Sequence, residues 1–218
     1  MKALIEHIRV LAPAGTAKLE GDLSISPACK GVVLFAHGSG SSRHSPRNRY
    51  VAEFLNESLL GTLLVDLLTT EEEREDEYNA RLRFDMDLLT DRVVAIVDWL
   101  AKQPQVTGHT VGLFGASTGA AAALRAAARR PALVRAVVSR GGRPDLAGAD
   151  AARVRAPTLL IVGGWDREVL QMNRDAMALM NCETKLEIVP GATHLFEEPG
   201  TLAKVATLAA NWFATHLQ

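Results

Sequence analysis

The feature that most constrains the fold is a series of short apolar runs separated by helical segments. The first such run, Gly31–Ala36, contains no polar side chain. Unbroken apolarity over so few residues predicts a strand buried on both faces, as in a parallel sheet. Strands are predicted, in chain order, at 31–36, 61–68, 109–114, 134–139, 157–162 and 185–189. Each run therefore indicates one strand of a buried sheet.

Helical patterns lie between these runs. Leucine, valine and isoleucine recur with a helical period over residues 85–102, and an alanine-rich stretch ends at Arg130. The predicted helices cover 47–60, 85–102, a segment ending at 130, 168–180 and 201–217. Strands that alternate with helices predict an α/β fold with a mostly parallel sheet and helices on both faces. Without a linker or a repeat, we expect one domain over residues 1–218.

The first two segments differ from the rest of the chain. Residues 4–11 and 17–25 alternate partly between apolar and polar side chains, and they flank Pro13-Ala14-Gly15. This pattern predicts an antiparallel N-terminal hairpin at one edge of the sheet.

Composition excludes several classes of function. The chain has 24 Lys and Arg against 25 Asp and Glu, which argues against a nucleic-acid binder. No apolar run approaches the roughly 18 residues needed to cross a bilayer, and polar residues interrupt the N-terminal segment, so neither membrane association nor a signal peptide is expected. The two cysteines, Cys29 and Cys182, lie far apart, and we expect them to be reduced in a cytoplasmic protein.

Three predicted strand ends carry a serine, an aspartate and a histidine in that order. Ser117 lies in GASTG, Asp166 in GGWD and His194 in PGATH. Chemistry in open α/β sheets collects at the carboxyl ends of strands, and a serine nucleophile needs an imidazole base that a carboxylate orients. Taken singly, Asp166 could cap a helix, His194 could bond a carbonyl and Ser117 could be a small loop residue. Their joint occurrence favours a catalytic triad.

The glycines around Ser117 support this interpretation. Gly115 and Gly119 remove side chains where the strand and the helix would collide at a tight turn. The backbone N–H of Thr118 and that of Ser39, in the upstream HGSG loop, are the predicted oxyanion donors. A flexible turn or a phosphate cradle are alternatives for HGSG, although it lacks the lysine of a P-loop and the G-x-G-x-x-G spacing. His37 is expected to fix the backbone of this turn.

Arginines near the strand ends suggest an anionic substrate. Arg43 and Arg140 are the candidate contacts, and further arginines follow the same strands at 47, 49 and 143. A guanidinium group binds carboxylates and phosphates through two parallel hydrogen bonds. The alternative is that these arginines form ion pairs with Asp66, Asp145 and the acidic run at 71–77.

Two further features bear on the substrate. Trp165 is the best candidate among the aromatic residues, ahead of Phe196 and Tyr78, to line an acyl pocket. The polar segment 69–83 is expected to be either a small lid or a solvated surface loop.

HGSG, GASTG, GGWD and PGATH, in this order and with the ATHLFEEPG ending, resemble the α/β-hydrolase superfamily. Within it the chain looks most like the dienelactone hydrolase family. The resemblance implies an α/β-hydrolase fold without a large cap, and esterase or lactonase action on a small molecule without metal or cofactor. It also implies Ser117 as nucleophile, Asp166 as orienting acid and His194 as base.

One departure widens the expected substrate range. Members of that family typically have cysteine where this chain has Ser117, which favours a broader carboxylesterase. Alternatives are a thioesterase or a phosphoester hydrolase on the same triad, and a non-catalytic binding module.

Overall fold

Eight strands form one sheet in the computed structural model, which describes residues 4–217. Their order across the sheet is β1-β2-β4-β3-β5-β6-β7-β8. The bounds are β1 Glu6–Ala14, β2 Ala17–Ile25, β3 Gly31–Ala36, β4 Gly61–Val65, β5 Thr110–Ala116, β6 Val134–Arg140, β7 Thr158–Gly163 and β8 Thr184–Val189. The hairpin β1–β2 is antiparallel and β2 joins β4 antiparallel, whereas all other neighbours are parallel. The predicted α/β fold with its N-terminal hairpin is confirmed.

Burial along the strands follows their position in the sheet. Every residue of β3, β4 and β7 is buried, which explains their unbroken apolar sequences. At the two edges, β1 and β8 contain exposed positions throughout. The predicted strand 61–68 was too long, because the sheet ends at Val65 and the next residues turn toward the loop after β3.

Helices cover both faces of the sheet, and each face has its own apolar core. The bounds are α1 Pro46–Glu57, α2 Thr70–Asn79, α3 Met86–Leu100, α4 Thr118–Arg129, α5 Arg167–Leu179 and α6 Thr201–His216. One core packs α3 and α4 against the sheet, and the other packs α1 and α6. Six of the seven alanines of α4 are fully buried, so this helix lies close to the strands. No helix within residues 4–217 is long and apolar enough to span a membrane.

The segment 69–83 is a folded element rather than an irregular loop. Thr69 and Glu72 form a capping box at the start of α2. The buried guanidinium of Arg92 holds this end by bonding both Glu72 and the Leu67 carbonyl. At the other end, Asp76 is buried and binds the Arg83 side chain. The T-x-x-E motif was the local signal for this helix, and the run of acidic residues concealed it.

Candidate active site

Loops from four strand ends meet around one cavity of about 520 Å³. The loop after β3 and the start of α1 form one wall, and the ends of β5 and β6 and the loop after β8 form the rest. The lining residues are Gly38 to Ser42, His44 to Arg47, Ala116, Ser117, Arg140, His194 and Leu195. Ser117 and His194, two of the three predicted triad members, therefore face the same space.

Ser117 lies at the sharp turn between β5 and α4. Its backbone angles are φ 50° and ψ −123°, a conformation that residues with a side chain rarely adopt. Such strain costs about 1–3 kcal/mol and persists only where the surroundings impose it. Here the Ser117 N–H donates to the Arg140 carbonyl, and the Ser117 carbonyl accepts from the Arg143 N–H at 3.0 Å. The turn is thus held in place by the loop after β6.

The glycines of GASTG have the predicted steric role. A Cβ at Gly119 would lie 2.2 Å from the Ala36 carbonyl oxygen, and one at Gly115 would lie 2.4 Å from the Ala120 Cα. Both neighbours are backbone atoms, which cannot rotate away. Glycine at these positions lets α4 and the loop after β3 close around Ser117, as expected from the sequence.

Asp166 and His194 are joined by a hydrogen bond. Nδ1 of His194 lies 2.7 Å from Oδ2 of Asp166. The acceptor is a carboxylate, so Nδ1 carries the proton and Nε2 is left as the acceptor. Asp166 is the N-cap residue of α5, yet its side chain makes no capping bond. The geometry favours the orienting role over the capping alternative.

Gly163 is a supporting residue that sequence reasoning missed. A Cβ at this position would lie 2.4 Å from the Ala192 carbonyl oxygen and 2.6 Å from that of Thr193. The missing side chain lets the loop before His194 pack against the end of β7. The Trp165 N–H fastens this contact by donating to the Ala192 carbonyl at 3.0 Å. The pair of glycines before Trp165 was the sequence signal.

The two predicted oxyanion donors lie side by side. Thr118 is the first residue of α4, where backbone N–H groups have no partner within the helix. The HGSG loop packs so closely that a Cβ at Gly38 would lie 3.0 Å from the Ser117 Cβ. The Ser39 N–H donates to Oγ1 of Thr118 at 2.9 Å. The Ser39 amide therefore already has an acceptor in this structure.

His37 fixes the turn before these donors, as the sequence predicted. Nδ1 donates to the Gly38 carbonyl at 2.9 Å, and Nε2 accepts the Leu67 N–H at 2.9 Å. Burial lowers the pKa of His37 below its usual value, although the nearby Asp66 opposes this shift. The imidazole is therefore neutral at physiological pH and joins the loops after β3 and β4.

The structure separates the candidate substrate contacts. Arg43 lies among three acidic residues, bonding Asp66 and Glu20 with Asp22 nearby, and Arg143 pairs with Asp145. The ion-pair alternative accounts for both arginines. Trp165 is 67% exposed, and neither it nor Arg43 is among the residues that line the cavity of Ser117.

Arg140 differs from these arginines. Only 7% of the residue is exposed, and it lines the cavity beside Ser117 and His194. Its Cζ atom lies 6.0 Å from the centroid of the Phe196 ring, and Nη2 lies 3.5 Å from Oδ1 of Asn48. Desolvation and the charge of Arg47 lower the pKa of Arg140 to about 10, so it remains a cation at neutral pH. Sequence reasoning did not predict that Asn48 lies beside it.

Comparisons with known proteins identify the family. The model of the dienelactone hydrolase family matches residues 62–216. The chain belongs to the dienelactone hydrolase family. A crystal structure of dienelactone hydrolase from Anabaena variabilis is 55% identical to it, with a TM-score of 0.97 over 98% of this chain and 99% of that one. Membership of this family supports the interpretation of the chain as a hydrolase.

Two other similar proteins have names that indicate different activities. A dienelactone hydrolase-like promiscuous phosphotriesterase from metagenomic libraries has a TM-score of 0.80 at 19% identity, which establishes the shared fold alone; the alignment covers 98% of this chain and 99% of that one. A Mycobacterium tuberculosis protein provisionally named a phosphoribosyl transferase is 56% identical over 97% of this chain. The match covers 46% of that protein, so this chain spans about half the length of the curated relatives it matches.

Proposed function

We propose that this protein hydrolyses carboxylic esters or lactones of small molecules through an acyl-enzyme on Ser117. The observation that carries the proposal is the 2.7 Å bond between His194 and Asp166, whose imidazole shares a cavity with Ser117. A carboxylate-oriented imidazole with a free Nε2 is the base that a serine hydroxyl needs. The strained turn at Ser117 supports the same role.

In the first half of the reaction, Nε2 of His194 takes the hydroxyl proton while Oγ of Ser117 attacks the ester carbonyl carbon. The backbone N–H groups of Thr118 and Ser39 bind the oxygen that becomes negative. To do so, the Ser39 N–H exchanges the Thr118 hydroxyl for the substrate oxygen. The bond to the leaving alkoxide then breaks, and His194 returns its proton to that oxygen.

In the second half, His194 takes a proton from water as the water oxygen attacks the acyl carbon. The bond to Oγ breaks, the acid leaves, and Ser117 regains its proton from His194. The Asp166 side chain bonds Nδ1 of His194 and stabilises the imidazolium that forms at each step.

The phosphotriesterase relative raises a second use of the same groups. An activated phosphotriester offers an electrophilic phosphorus to Oγ of Ser117, so slow turnover with labelling of Ser117 is the expected behaviour. A thioester would use the acyl-enzyme route unchanged. The transferase name belongs to a relative about twice as long. We propose hydrolase chemistry for the present chain, which matches about half of that relative and itself contains Ser117, Asp166 and His194.

The test is the turnover of p-nitrophenyl esters by the wild type and by Ser117→Ala. Loss of the nucleophile should lower kcat by several orders of magnitude, to the residual level left by the oxyanion site. A fluorophosphonate probe should label the wild type at Ser117 and leave the variant unlabelled. Ser41→Ala, which changes another serine of the same cavity, is the matched control and should retain labelling. Undiminished turnover by Ser117→Ala would refute the proposal.

A further inference from the structure

Arg140 is a buried charge for which residues 4–217 supply no acidic partner. A buried cation is costly unless it is paired and hydrogen-bonded. Elsewhere the fold follows this rule, since the buried Arg92 pairs with Glu72 and the half-buried Arg83 pairs with Asp76. Within residues 4–217, none of the salt bridges involves Arg140, and its Nε is buried without a hydrogen-bond partner. The site is therefore short of one anion.

A second arginine of the cavity adds another positive charge that is incompletely paired. Arg47, in the first turn of α1, also has a buried Nε without a partner, and its charge acts on Arg140. Among the described residues, Arg47 forms one ion pair, at 3.2 Å, and its partner is the exposed Glu197. Two like charges beside one cavity repel each other, and an anion between them would relieve both.

The position of these groups relates them to the reacting atoms. Arg140 ends β6, and its carbonyl oxygen accepts the N–H of Ser117. Arg140 and Arg47 line the same cavity as Ser117 and His194. The buried Asn48 adds a polar contact, because its Oδ1 accepts from Nη2 of Arg140 at 3.5 Å. Anything bound between the arginines is thus a neighbour of the nucleophile.

We propose that Arg140, assisted by Arg47, binds an oxyanionic group of the substrate, a carboxylate or a phosphate, close to the scissile ester. The proposal rests on the proposed function and names its substrate class. A guanidinium offers two parallel N–H donors that match either group. Because Arg140 is backed by the Phe196 ring and Asn48, its orientation is set before the substrate arrives.

Matched substrates test the proposal. The probes are p-nitrophenyl butyrate, p-nitrophenyl hemisuccinate and the p-nitrophenyl ester of 3-phosphonopropionic acid, which differ in the group at the end of the acyl chain. The wild type should prefer at least one of the two anionic esters over the neutral one in kcat/KM. The better of the two identifies the anion as carboxylate or phosphate.

The variants are Arg140→Gln, Arg140→Lys and Arg47→Gln. Charged hydrogen bonds of this kind predict that Arg140→Gln lowers the ratio of anionic to neutral kcat/KM by about 10- to 100-fold. Arg140→Lys should restore part of the ratio, since it keeps the charge and loses the two-pronged geometry. Arg129→Gln removes an arginine that pairs with Asp91 on the surface, and it should leave the ratio unchanged.

Failure of the subsite and failure of the proposed function give different results. An unchanged ratio in Arg140→Gln, in an enzyme that still labels at Ser117, would overturn the subsite and leave the hydrolase proposal intact. Equal losses for all three esters would also overturn it, because Arg140 would then support the fold or the oxyanion.

Anion binding without turnover gives a readout that does not depend on the ester reaction. In Ser117→Ala, succinate and inorganic phosphate are titrated by calorimetry, and at least one should bind. Adding Arg47→Gln, which changes a partly exposed side chain, should weaken this binding at least tenfold. This arm also decides the matter if Arg140→Gln fails to fold. Absence of binding, or equal binding with and without Arg47, would overturn the subsite even if the ester preference exists.

Discussion

At Ser117 the backbone and the side chain contribute to the site together. Ser117 has a positive φ and caps α4 without a side-chain capping bond, and the next residue, Thr118, begins the helix, where N–H groups have no partner within the helix. The imidazole of His194 forms a hydrogen bond with Asp166, which lies 28 positions earlier in the chain. The sequence was sufficient to select Ser117, Asp166 and His194 as candidates, because a serine, an aspartate or a histidine directly after a buried strand has few structural roles. It could not reveal that the Ser39 amide is held by Thr118, since that contact depends on side-chain rotamers.

Asp166→Asn tests the proposal that Asp166 orients His194 as the base. An amide presents a donor as readily as an acceptor, so it no longer fixes the proton on Nδ1 of His194, and Nε2 loses its role as a base. We expect kcat for a p-nitrophenyl ester to fall by about 10³- to 10⁴-fold with little change in the melting temperature. Asp145→Asn removes a carboxylate that pairs with Arg143 on another loop, and it should cost far less activity. Equal effects of the two substitutions would contradict the assignment of Asp166.

At the scale of elements, the site depends on how closely α4 and the loops approach the sheet. The buried alanines of α4 and the glycines at 115 and 119 let this helix begin directly against β3 and β5. Sequence patterns predicted these elements, since long apolar periods determine whether a segment is a strand or a helix. They missed α2, because its stability comes from an N-terminal capping box and from ion pairs with Arg92 and Arg83 rather than from an apolar stripe.

Gly119→Ala tests this close approach. The added methyl group would lie 2.2 Å from the Ala36 carbonyl oxygen and 2.4 Å from that of His37, so either α4 or the HGSG loop must move. Overpacking of a rigid site costs about 1–3 kcal/mol, and a clash with backbone lies at the upper end of that range or beyond it. We expect a lower urea midpoint and, if the proposed function is right, loss of p-nitrophenyl ester turnover.

The matched control for this prediction is Gly164→Ala. A Cβ at Gly164 meets its nearest neighbour, the Val189 carbonyl oxygen, at 3.3 Å, so only small adjustments are needed. Its urea midpoint should remain close to that of the wild type. A midpoint for Gly119→Ala as high as that of the control would show that the turn at Ser117 is less tightly packed than the distances indicate.

Over the whole molecule, the fold brings together groups that no local pattern connects. Asn48 in α1 and Arg140 at the end of β6 are 92 positions apart, and they meet because α1 packs beside the carboxyl ends of the strands. The sequence indicated which arginines follow strands, but not which would find an acid. Arg43 meets Asp66 because β4 lies next to β3, whereas Arg140 faces the cavity. Which arginine forms an ion pair depends on the order of the strands in the sheet, so it could not be predicted from single segments of the sequence.

The stability of the whole molecule should fall in mild acid because of His37. Nε2 of His37 accepts the Leu67 N–H, so protonation breaks this bond, and burial holds the pKa below 6.5 in the folded state. The unfolded chain has a pKa of about 6.5 at this residue. Just below that pH the unfolded chain therefore binds a proton at His37 and the folded protein does not. Stability contributed by His37 is fully present above pH 6.5 and is lost as pH falls toward the lower folded-state pKa.

The expected slope from this one group approaches about 1.4 kcal/mol per pH unit in that window. Urea unfolding of the wild type at pH 7.5, 6.0 and 5.0 measures it, with His37→Gln as the comparison. Glutamine has no titrating group but offers both a donor and an acceptor, so the variant should be less stable at pH 7.5 and lose less stability on acidification. Parallel pH profiles for the two proteins would mean that His37 takes up a proton equally in both states. In that case its bonds to Gly38 and Leu67 would not govern the acid response, and other groups would have to account for it.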